Sequence, residues 1–325
     1  WSIVLDAWCK RARKVRGAMM KAEKLLFEME DRAIQQEQQQ QIAENKNKTI
    51  MSATIRPNIV TYTTFISGLA RSKERNSAQK AEQVLDRMKS NDIEPDMVAY
   101  TAVLNCYSKA SSRKDRSMAA KRALEILDLM EASYSQEQKY YLRPNVITYG
   151  TAIKAIGNSL DPRSAELAEK VLRQMYVLYE EGTIANVKPQ TSTYNAVITA
   201  LAGHSRRNGG GPARFHHPKR NAVGLRNAKK AEQLLVEMTR KARAGEHDVQ
   251  PNVRTWGAVI SAWAESGQPD AGDQAQRVLN SMQQLYERGE SDVRPNFVCY
   301  TTTMQAMGKC ALPPTSDEAI AANIA

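Results

Sequence analysis

Two short motifs alternate along the chain, and they constrain its fold more than any other feature of the sequence. The first has the form Ala-x-x-(Leu/Ile/Val)-Leu-x-x-Met and occurs six times, beginning at Ala22, Ala81, Ala123, Ala168, Ala231 and Ala275. Its apolar residues recur at i, i+3, i+4 and i+7, which is the spacing of one face of an α-helix. Polar and charged residues fill most of the remaining positions, so the opposite face of each predicted helix is solvated.

The second motif opens with Pro followed in most copies by Asn or Asp. It begins at Pro57, Pro95, Pro144, Pro189, Pro251 and Pro295. Pro ends one helix because it lacks an N–H, and Asn or Asp caps the next helix. An aromatic residue then opens a second apolar stripe, in which it is expected to pack rather than to stack on a ligand; these residues are Tyr62, Tyr100, Tyr149, Tyr194, Trp256 and Tyr300.

Each repeat is therefore a helix A, a turn and a helix B. Neither helix can bury its apolar face alone, so neighbouring repeats must stack into an all-α solenoid. The motifs predict about seven repeats: 1–58, 59–96, 97–145, 146–190, 191–252, 253–296 and 297–325. Trp1 falls within a helix A and the segment 317–325 resembles a shortened helix B, so both ends are expected to be truncated.

The repeats differ in length because of insertions. Gln35–Gln41 either extends a helix B or begins a disordered loop. The longest insertion is predicted at 204–227, whose glycines and prolines indicate a basic disordered segment. Eight Lys or Arg and no acidic residue occur between positions 203 and 230, so an RNA-clamping or partner-binding loop is the open alternative.

The charge balance favours a polyanionic partner. Lys and Arg number 46 against 35 Asp and Glu, a net charge of +11, which suits nucleic acid or an anionic membrane surface, although solubility alone is an alternative. No apolar run is long enough for a transmembrane helix. The four cysteines are scattered and His216–His217 has no third ligand nearby, so we expect no metal, no cofactor and no disulfide framework. No catalytic constellation is recognisable, which predicts a non-enzyme.

The alternation of P-(N/D)-x-V-T-Y-x-x-x-I with A-x-x-L-L-x-x-M resembles the pentatricopeptide-repeat family. The related tetratricopeptide repeat is disfavoured because its Trp-Leu-Gly-Tyr spacing is absent. The resemblance implies a right-handed α-solenoid that binds single-stranded RNA, with one base per repeat in a groove lined by helices A. It also implies a monomer without a membrane partner, acting in a mitochondrion or chloroplast in RNA processing, stability or translation. A catalytic domain attached beyond either end stays open.

The resemblance further implies which residues select the bases. In the family, one selecting residue directly follows the Tyr of helix A, and the other directly follows the Pro that ends the repeat. The pairs here are Ser2–Asn58, Thr63–Asp96, Thr101–Asn145, Gly150–Gln190, Asn195–Asn252 and Gly257–Asn296, with Thr301 opening a seventh. By the family code the first, second, third and fifth pairs favour A, G, A and C. Glycine offers no side-chain hydrogen bond, so the implied target is 5′-A-G-A-N-C-N-3′.

Two further rows of contacts are implied. Branched aliphatic side chains would sandwich the bases at Val60, Val98, Ile147 and Val298, where Arg254 and Ser192 depart from the pattern and the Arg254 guanidinium could stack instead. Four cations lie eight residues beyond a selecting residue and could contact phosphates: Lys10, Arg71, Lys109 and Lys309. The alternative is that these cations only complement the helix macrodipole.

A different class of function remains open, namely a protein–protein scaffold within a ribonucleoprotein that uses the same concave surface. Gly150 and Gly257 at selecting positions, together with the irregular insertions, favour a scaffold. The recurring pairs of Ser, Thr or Asn with Asn or Asp favour RNA, because a protein-binding groove would not need that pairing.

Overall fold

The computed structural model describes residues 1–44, 56–72, 74–184, 186–207, 218–291 and 293–310. Within these ranges the chain is helical, with no β-strand, and helices A alternate with helices B. The α-helices are α1 (Ser2–Arg11), α2 (Ala18–Glu44), α3 (Ile59–Arg71), α4 (Ser77–Ser90), α5 (Met97–Ser108), α6 (Arg113–Ser135), α7 (Val146–Asn158), α8 (Ser164–Glu180), α9 (Thr191–Arg207), α10 (Pro218–Arg243), α11 (Val253–Ala264), α12 (Ala271–Glu287) and α13 (Phe297–Cys310). Odd-numbered helices are helices A and even-numbered helices are helices B. The predicted all-α helical-repeat fold is confirmed.

The Pro-Asn/Asp motif positions the start of helix A through a side-chain cap. Asn58 Oδ1 accepts hydrogen bonds from the Thr61 backbone N at 2.9 Å and from Thr61 Oγ1 at 3.0 Å. The same capping box occurs at Asn145 and Asn252. Such a cap contributes about 1 kcal/mol to the stability of a helix. From α3 onward, each helix A begins at the first residue of a repeat delimited by the sequence.

The chain divides into two compact units, and each is built from the same helix pairs. The first unit comprises Trp1–Asp161 and Val177–Val187, and the second comprises Pro162–Tyr176 and Lys188–Ala325. In the first unit α3 packs between α1 and α5, and α5 packs against α7. In the second unit α11 packs against α9 and α13, while α10 and α12 lie against the helices A.

The helix-B motif forms the core of the stacked repeats. The alanine that opens each copy and the methionine that closes it are buried in all six: Ala22, Ala81, Ala123, Ala168, Ala231 and Ala275, with Met29, Met88, Met130, Met175, Met238 and Met282. Alanine lets the neighbouring helix approach closely, and the flexible methionine fills the irregular space between helices. The methionines are therefore packing residues, as the periodicity predicts.

The aromatic residue of helix A is also a packing residue in most repeats. Tyr62 is fully buried, and its hydroxyl donates to Glu30 Oε1 at 2.6 Å on the preceding helix B. Tyr149 repeats this arrangement with Glu131 at 2.5 Å. Burial and then these carboxylates raise the pKa of both phenols, so the hydroxyls stay protonated and donate. Tyr300, on the last described helix, is 43% exposed and departs from the pattern.

The predicted disordered insertion at 204–227 is wrong at both ends. Helix α9 continues to Arg207 and α10 begins at Pro218, a residue suited to the first turn of a helix. Gly224 lies within this helix, and a larger residue would not fit there because a Cβ would approach the Ser266 carbonyl oxygen to 2.1 Å. Positions 208–217, which include His216–His217, lie outside the described residues.

The other insertions are shorter. The Gln-rich stretch extends helix B, since α2 continues through Glu44. Single 3-10 turns at Tyr140–Leu142 and His247–Val249 precede the prolines that open the next repeats. The expected helix B at 317–325 lies outside the described residues. None of the described helices combines the length and apolar character needed to span a membrane.

Candidate nucleic-acid interface

A row of exposed apolar side chains marks the first turn of successive helices A. The four predicted sandwich residues are between 51% and 65% exposed: Val60, Val98, Ile147 and Val298. Each is the second residue of its helix, two residues after the capping residue. Arg254 occupies the same place on α11 and is also exposed. Four branched aliphatics in equivalent exposed positions offer flat apolar faces that packing of the chain itself does not use.

In the first compact unit, a cavity of about 300 Å³ brings one predicted selecting pair together with two sandwich residues. Its lining is Asp6, Ile59, Val60, Thr63, Thr64, Ser67, Arg71, Asp96 and Val98. Thr63 and Asp96 form the pair expected to select G. Val60 lies on α3, as Thr63 does, and Val98 lies on α5, the helix that Asp96 caps. The predicted phosphate contact Arg71 lines the same cavity.

Two predicted selecting residues carry buried polar atoms without a hydrogen-bond partner. Only four such side-chain atoms occur in the described part of the chain: Thr63 Oγ1, Thr193 Oγ1, Asn195 Oδ1 and Asn227 Nδ2. An unsatisfied buried polar group costs about 1–3 kcal/mol. The selecting positions of repeats 2 and 5 therefore have hydrogen-bonding capacity that the folded chain leaves unused.

Three further selecting pairs are connected by side-chain hydrogen bonds at the starts of helices A. The contacts are Ser2 Oγ to Thr61 Oγ1 at 3.4 Å, Thr101 Oγ1 to Thr148 Oγ1 at 3.1 Å, and Asn195 Nδ2 donating to Asn252 Oδ1 at 3.4 Å. In the first two, the threonine is the capping-box partner of the pair's second residue. In the third, the second residue itself accepts the bond. The capping threonines were missed by sequence reasoning, although their recurrence three residues after the cap was a usable signal.

The cap determines which polar atom of the second selecting residue remains for a ligand. In each case Oδ1 accepts a backbone N–H of its own helix: Asn58 from Thr61 at 2.9 Å, Asp96 from Ala99 at 2.9 Å, Asn145 from Thr148 at 3.0 Å, Asn252 from Thr255 at 3.1 Å and Asn296 from Cys299 at 3.1 Å. The remaining polar atom is an amide donor in asparagine and an acceptor oxygen in Asp96. Gln190 differs, because its backbone carbonyl rather than its side chain accepts from Thr193 N, at 2.8 Å.

Packing does not require glycine at the two departing positions. A Cβ added to Gly150 would meet no atom within 4 Å, and one added to Gly257 would lie 3.9 Å from Cys299 Sγ. Thr301, which opens the seventh repeat, donates its hydroxyl to carbonyls of its own helix, including Val298 O at 3.3 Å. These selecting positions therefore present less to a ligand than Thr63 or Asn195 does.

The predicted phosphate contacts lie where helices A end. Lys10, Arg71 and Lys309 are in the last turns of α1, α3 and α13, and Lys109 directly follows α5. Lys10 is paired with Asp6 at 2.6 Å, and Lys309 with Glu265 at 3.0 Å. The macrodipole reading of these cations is therefore compatible with their places as well.

A denser group of cations lies at the end of α1 and in the turn that follows, and it was missed by sequence reasoning. Its members Arg11, Arg13, Lys14 and Arg16 are exposed. The signal was present in the sequence, since five of the seven residues at 10–16 are Lys or Arg and none is acidic. These residues give the end of the first helix A a positive surface.

Cys9 and Cys106 are buried packing residues. Burial raises the pKa of the Cys9 thiol to about 12 and raises that of Cys106 further, so both stay protonated and unreactive. Cys9 lies against Gly68 of α3, where a Cβ would approach Cys9 Sγ to 2.8 Å. Across the described ranges, no group of three or more His, Cys, Asp or Glu side chains is arranged to hold a metal ion.

Comparison with known sequences identifies the repeat. Residues 57–109, which contain α3, α4 and α5, match the PPR repeat family. A pentatricopeptide repeat-containing protein of Arabidopsis thaliana is 26% identical over 154 residues, covering 47% of this chain and 22% of the relative. A second protein of that name from A. thaliana, designated chloroplastic, is 31% identical over 139 residues, covering 43% of this chain and 23% of the relative. The aligned region thus spans less than a quarter of either relative.

Among solved structures, the chain is similar to the pentatricopeptide repeat protein PPR10 in complex with an 18-nt psaJ RNA element. That alignment covers 94% of this chain and 45% of PPR10 at 16% identity, with a TM-score of 0.25. A PPR10 variant bound to the same element gives the same values. Residues 57–109 thus carry a pentatricopeptide repeat, and the six copies of each motif extend the similarity to that family along the chain.

Proposed function

We propose that this chain binds single-stranded RNA along its helices A without catalysing a reaction, and that it selects one base per repeat. The observation that carries the proposal is the cavity in repeat 2. It combines an unpartnered Thr63 hydroxyl oxygen, the Asp96 carboxylate and two exposed valines, Val60 and Val98. A splayed nucleobase needs flat apolar contacts for its two faces and polar groups for its edge, and this cavity supplies both kinds.

The helix caps support a choice between two classes of base. Because Oδ1 is used by the helix, asparagine has an N–H₂ left to donate, which suits the ring-nitrogen acceptor of adenine or cytosine. Asp96 has an oxygen left to accept, which suits the ring N–H of guanine or uracil. The first selecting residue then separates purines from pyrimidines by size, since Ser2, Thr63 and Thr101 leave more room than Asn195. Together, the two selecting residues would choose A, G and A in repeats 1 to 3 and C in repeat 5, the same bases that the family code implies.

Phosphate contacts supply affinity rather than selectivity in this proposal. Arg71 lines the base cavity, and the exposed cations Arg11, Arg13, Lys14 and Arg16 lie at the end of the first helix A. Each neutralised phosphate on single-stranded nucleic acid contributes a slope of about −0.7 to the dependence of log affinity on log salt. Binding should therefore weaken with salt, while the preference among bases should persist.

The proposed setting is organellar RNA processing, stability or translation, with the chain acting as a monomer. It rests on the similarity to pentatricopeptide-repeat proteins and on the chloroplast designation of one relative. The two glycine positions are places where the proposed reading is loose, because Gly150 and Gly257 present no side chain to a base.

The test is a titration of the protein with two fluorescently labelled RNAs, followed by anisotropy. One carries 5′-AGAUCU-3′ and the other has the four assigned bases replaced. With each mismatched hydrogen-bonding edge costing about 1 kcal/mol or more, the substituted RNA should bind at least tenfold more weakly. Equal affinities that disappear together as salt rises would reject base selection and would leave a protein-binding scaffold as the better explanation of the exposed residues on helices A.

A further inference from the structure

The cavity beside Thr63 extends beyond the selecting pair, towards the end of α3. Ser67 and Arg71 line it on the same helix, and Asp6 of α1 lines it from the neighbouring repeat. Thr63, Ser67 and Arg71 are four residues apart, so they share one helix face at intervals of about 6 Å along the axis. The lining therefore presents three levels: a base-selecting hydroxyl, a middle level with Ser67 and Asp6, and a guanidinium.

The three levels follow the order of the groups in one nucleotide, in which the ribose lies between the base and the phosphate. If the base edge is at Thr63 and a phosphate at Arg71, the sugar lies against the middle level. The group that distinguishes ribose from deoxyribose is the 2′-hydroxyl, which both donates and accepts hydrogen bonds. The Ser67 hydroxyl can do either, and the Asp6 carboxylate can accept. Asp6 is neutralised by Lys10 at 2.6 Å, which limits its repulsion of nearby phosphates.

The position at the middle level is polar in every repeat. Four residues after each first selecting residue lie Asp6, Ser67, Asn105, Lys154, Thr199, Ser261 and Gln305. None of these side chains is buried, although each lies on a helix A whose other face forms the core. A solvated helix face would also be polar, but solvation alone does not explain why this position lines the same cavity as the selecting pair in repeat 2.

We infer that Ser67 and Asp6 recognise the ribose 2′-hydroxyl of the nucleotide read by repeat 2, so that this chain discriminates RNA from DNA through a row of residues separate from those that select bases. The inference rests on the proposed RNA-binding function. It assigns three tasks to the lining of one cavity: base selection by Thr63 with Asp96, ribose recognition by Ser67 with Asp6, and phosphate contact by Arg71.

A cycle of protein and RNA substitutions tests this inference. The probe is the 5′-AGAUCU-3′ RNA with a single 2′-deoxyguanosine, compared with the all-ribose RNA. In the unmodified protein, loss of one net hydrogen bond should weaken binding about 2- to 10-fold. The Ser67→Ala/Asp6→Ala double variant should no longer distinguish the two RNAs. Because loss of the Asp6 charge raises the affinity for both RNAs, the ratio of the two affinities is the quantity compared.

Two controls isolate the ribose contact. Ser117→Ala removes an exposed hydroxyl from helix B of repeat 3, and it should leave the deoxyguanosine effect unchanged. A 2′-deoxy nucleotide outside the six-base target should have no effect. Thermal unfolding of the double variant confirms that it remains folded.

The possible failures are distinguishable. If the unmodified protein binds both RNAs equally while still preferring 5′-AGAUCU-3′ over a base-substituted RNA, the ribose inference is overturned and base reading survives. An equal deoxyguanosine effect in the double variant would also overturn it. If no base preference is found at all, it is the proposed function that fails.

Discussion

Replacing Asp96 with asparagine changes a single polar group in the proposed guanine site. Oδ1 of Asp96 caps α5 by accepting from Ala99 N at 2.9 Å, and asparagine can make the same cap. The other carboxylate oxygen becomes an amide N–H₂, so an acceptor is exchanged for a donor of nearly the same size. We expect the preferred second base to change from G, whose ring nitrogen donates, to A, whose ring nitrogen accepts.

The magnitude follows from the burial of the site. Asp96 is half-buried, so a mismatched edge should cost the lower part of the usual range, about 1–1.5 kcal/mol, or roughly five- to tenfold in affinity. Because the preference reverses, the ratio of G to A affinities should change by the square of that factor, about 25- to 100-fold. Stability should change by less than about 0.5 kcal/mol, since Asp and Asn are comparable caps.

The assay is competition anisotropy with 5′-AGAUCU-3′ and 5′-AAAUCU-3′ RNAs at fixed salt. Loss of a negative charge near RNA raises the affinity for both, so the ratio rather than either value is the informative quantity. Asp86→Asn removes the same charge from the exposed side of α4 and serves as the matched control, with no expected change in the ratio. Asn145→Asp is the reciprocal change and should move the third base from A towards G.

If the ratio in the Asp96→Asn variant stays within twofold of that of the unmodified protein, Asp96 does not select the second base. It would mean that the residue after the proline serves only to cap the helix. A uniform gain for both RNAs, equal to that of the Asp86→Asn control, would lead to the same conclusion.

Three other outcomes follow from the same geometry. Val60→Ala should weaken RNA binding about five- to tenfold, because it removes apolar contact with a base. It should leave the melting temperature unchanged, because the Val60 side chain is exposed in the free protein. RNA titration measures the first effect and calorimetry the second. Gly257→Thr should fold normally, with its Cβ 3.9 Å from Cys299 Sγ, and should create a preference for A at the sixth base that selection from a randomised position would detect. Glu232 accepts two bonds from Arg277 at 2.8 and 2.9 Å and one from Trp263 at 3.0 Å, so Glu232→Gln should lower the free energy of unfolding of the second unit by about 1–2 kcal/mol in urea titrations. Burial opposes ionisation of Glu232, but the bonds from Arg277 and Trp263 outweigh burial and lower the pKa of Glu232 below 4.5. The stabilisation is therefore present above that pH and should be lost as the pH falls through the lowered pKa. The glutamine variant should lack this acid sensitivity.

Much of the fold could be predicted because its signals are local. Pro followed by Asn or Asp both ends and caps helices, so helix A begins directly after it at Ile59, Met97 and Val253. The Ala/Leu/Met periodicity identifies the buried face of helix B without knowledge of its neighbours. The selecting residues of each repeat could also be assigned by resemblance, because they have fixed places relative to the aromatic residue and the proline.

Other features depend on tertiary contacts, which sequence periodicity does not contain. The helical start at Pro218 was obscured by glycines and prolines, yet Gly224 is required by the close approach of Ser266 O. The unpartnered state of Thr63 Oγ1 depends on how α1, α3 and α5 pack around the cavity. Asp6 and Ser67 line the same cavity only because α1 and α3, from different repeats, pack together.

Selection of bound sequences from a random single-stranded RNA pool, at low and at high salt, separates base selection from general affinity for RNA. If the selecting pairs act as proposed, A-G-A-N-C is enriched in one register at both salt concentrations, and total binding falls at high salt as phosphate contacts weaken. Recovery of RNA without an enriched register, vanishing at high salt, would contradict base reading by helices A.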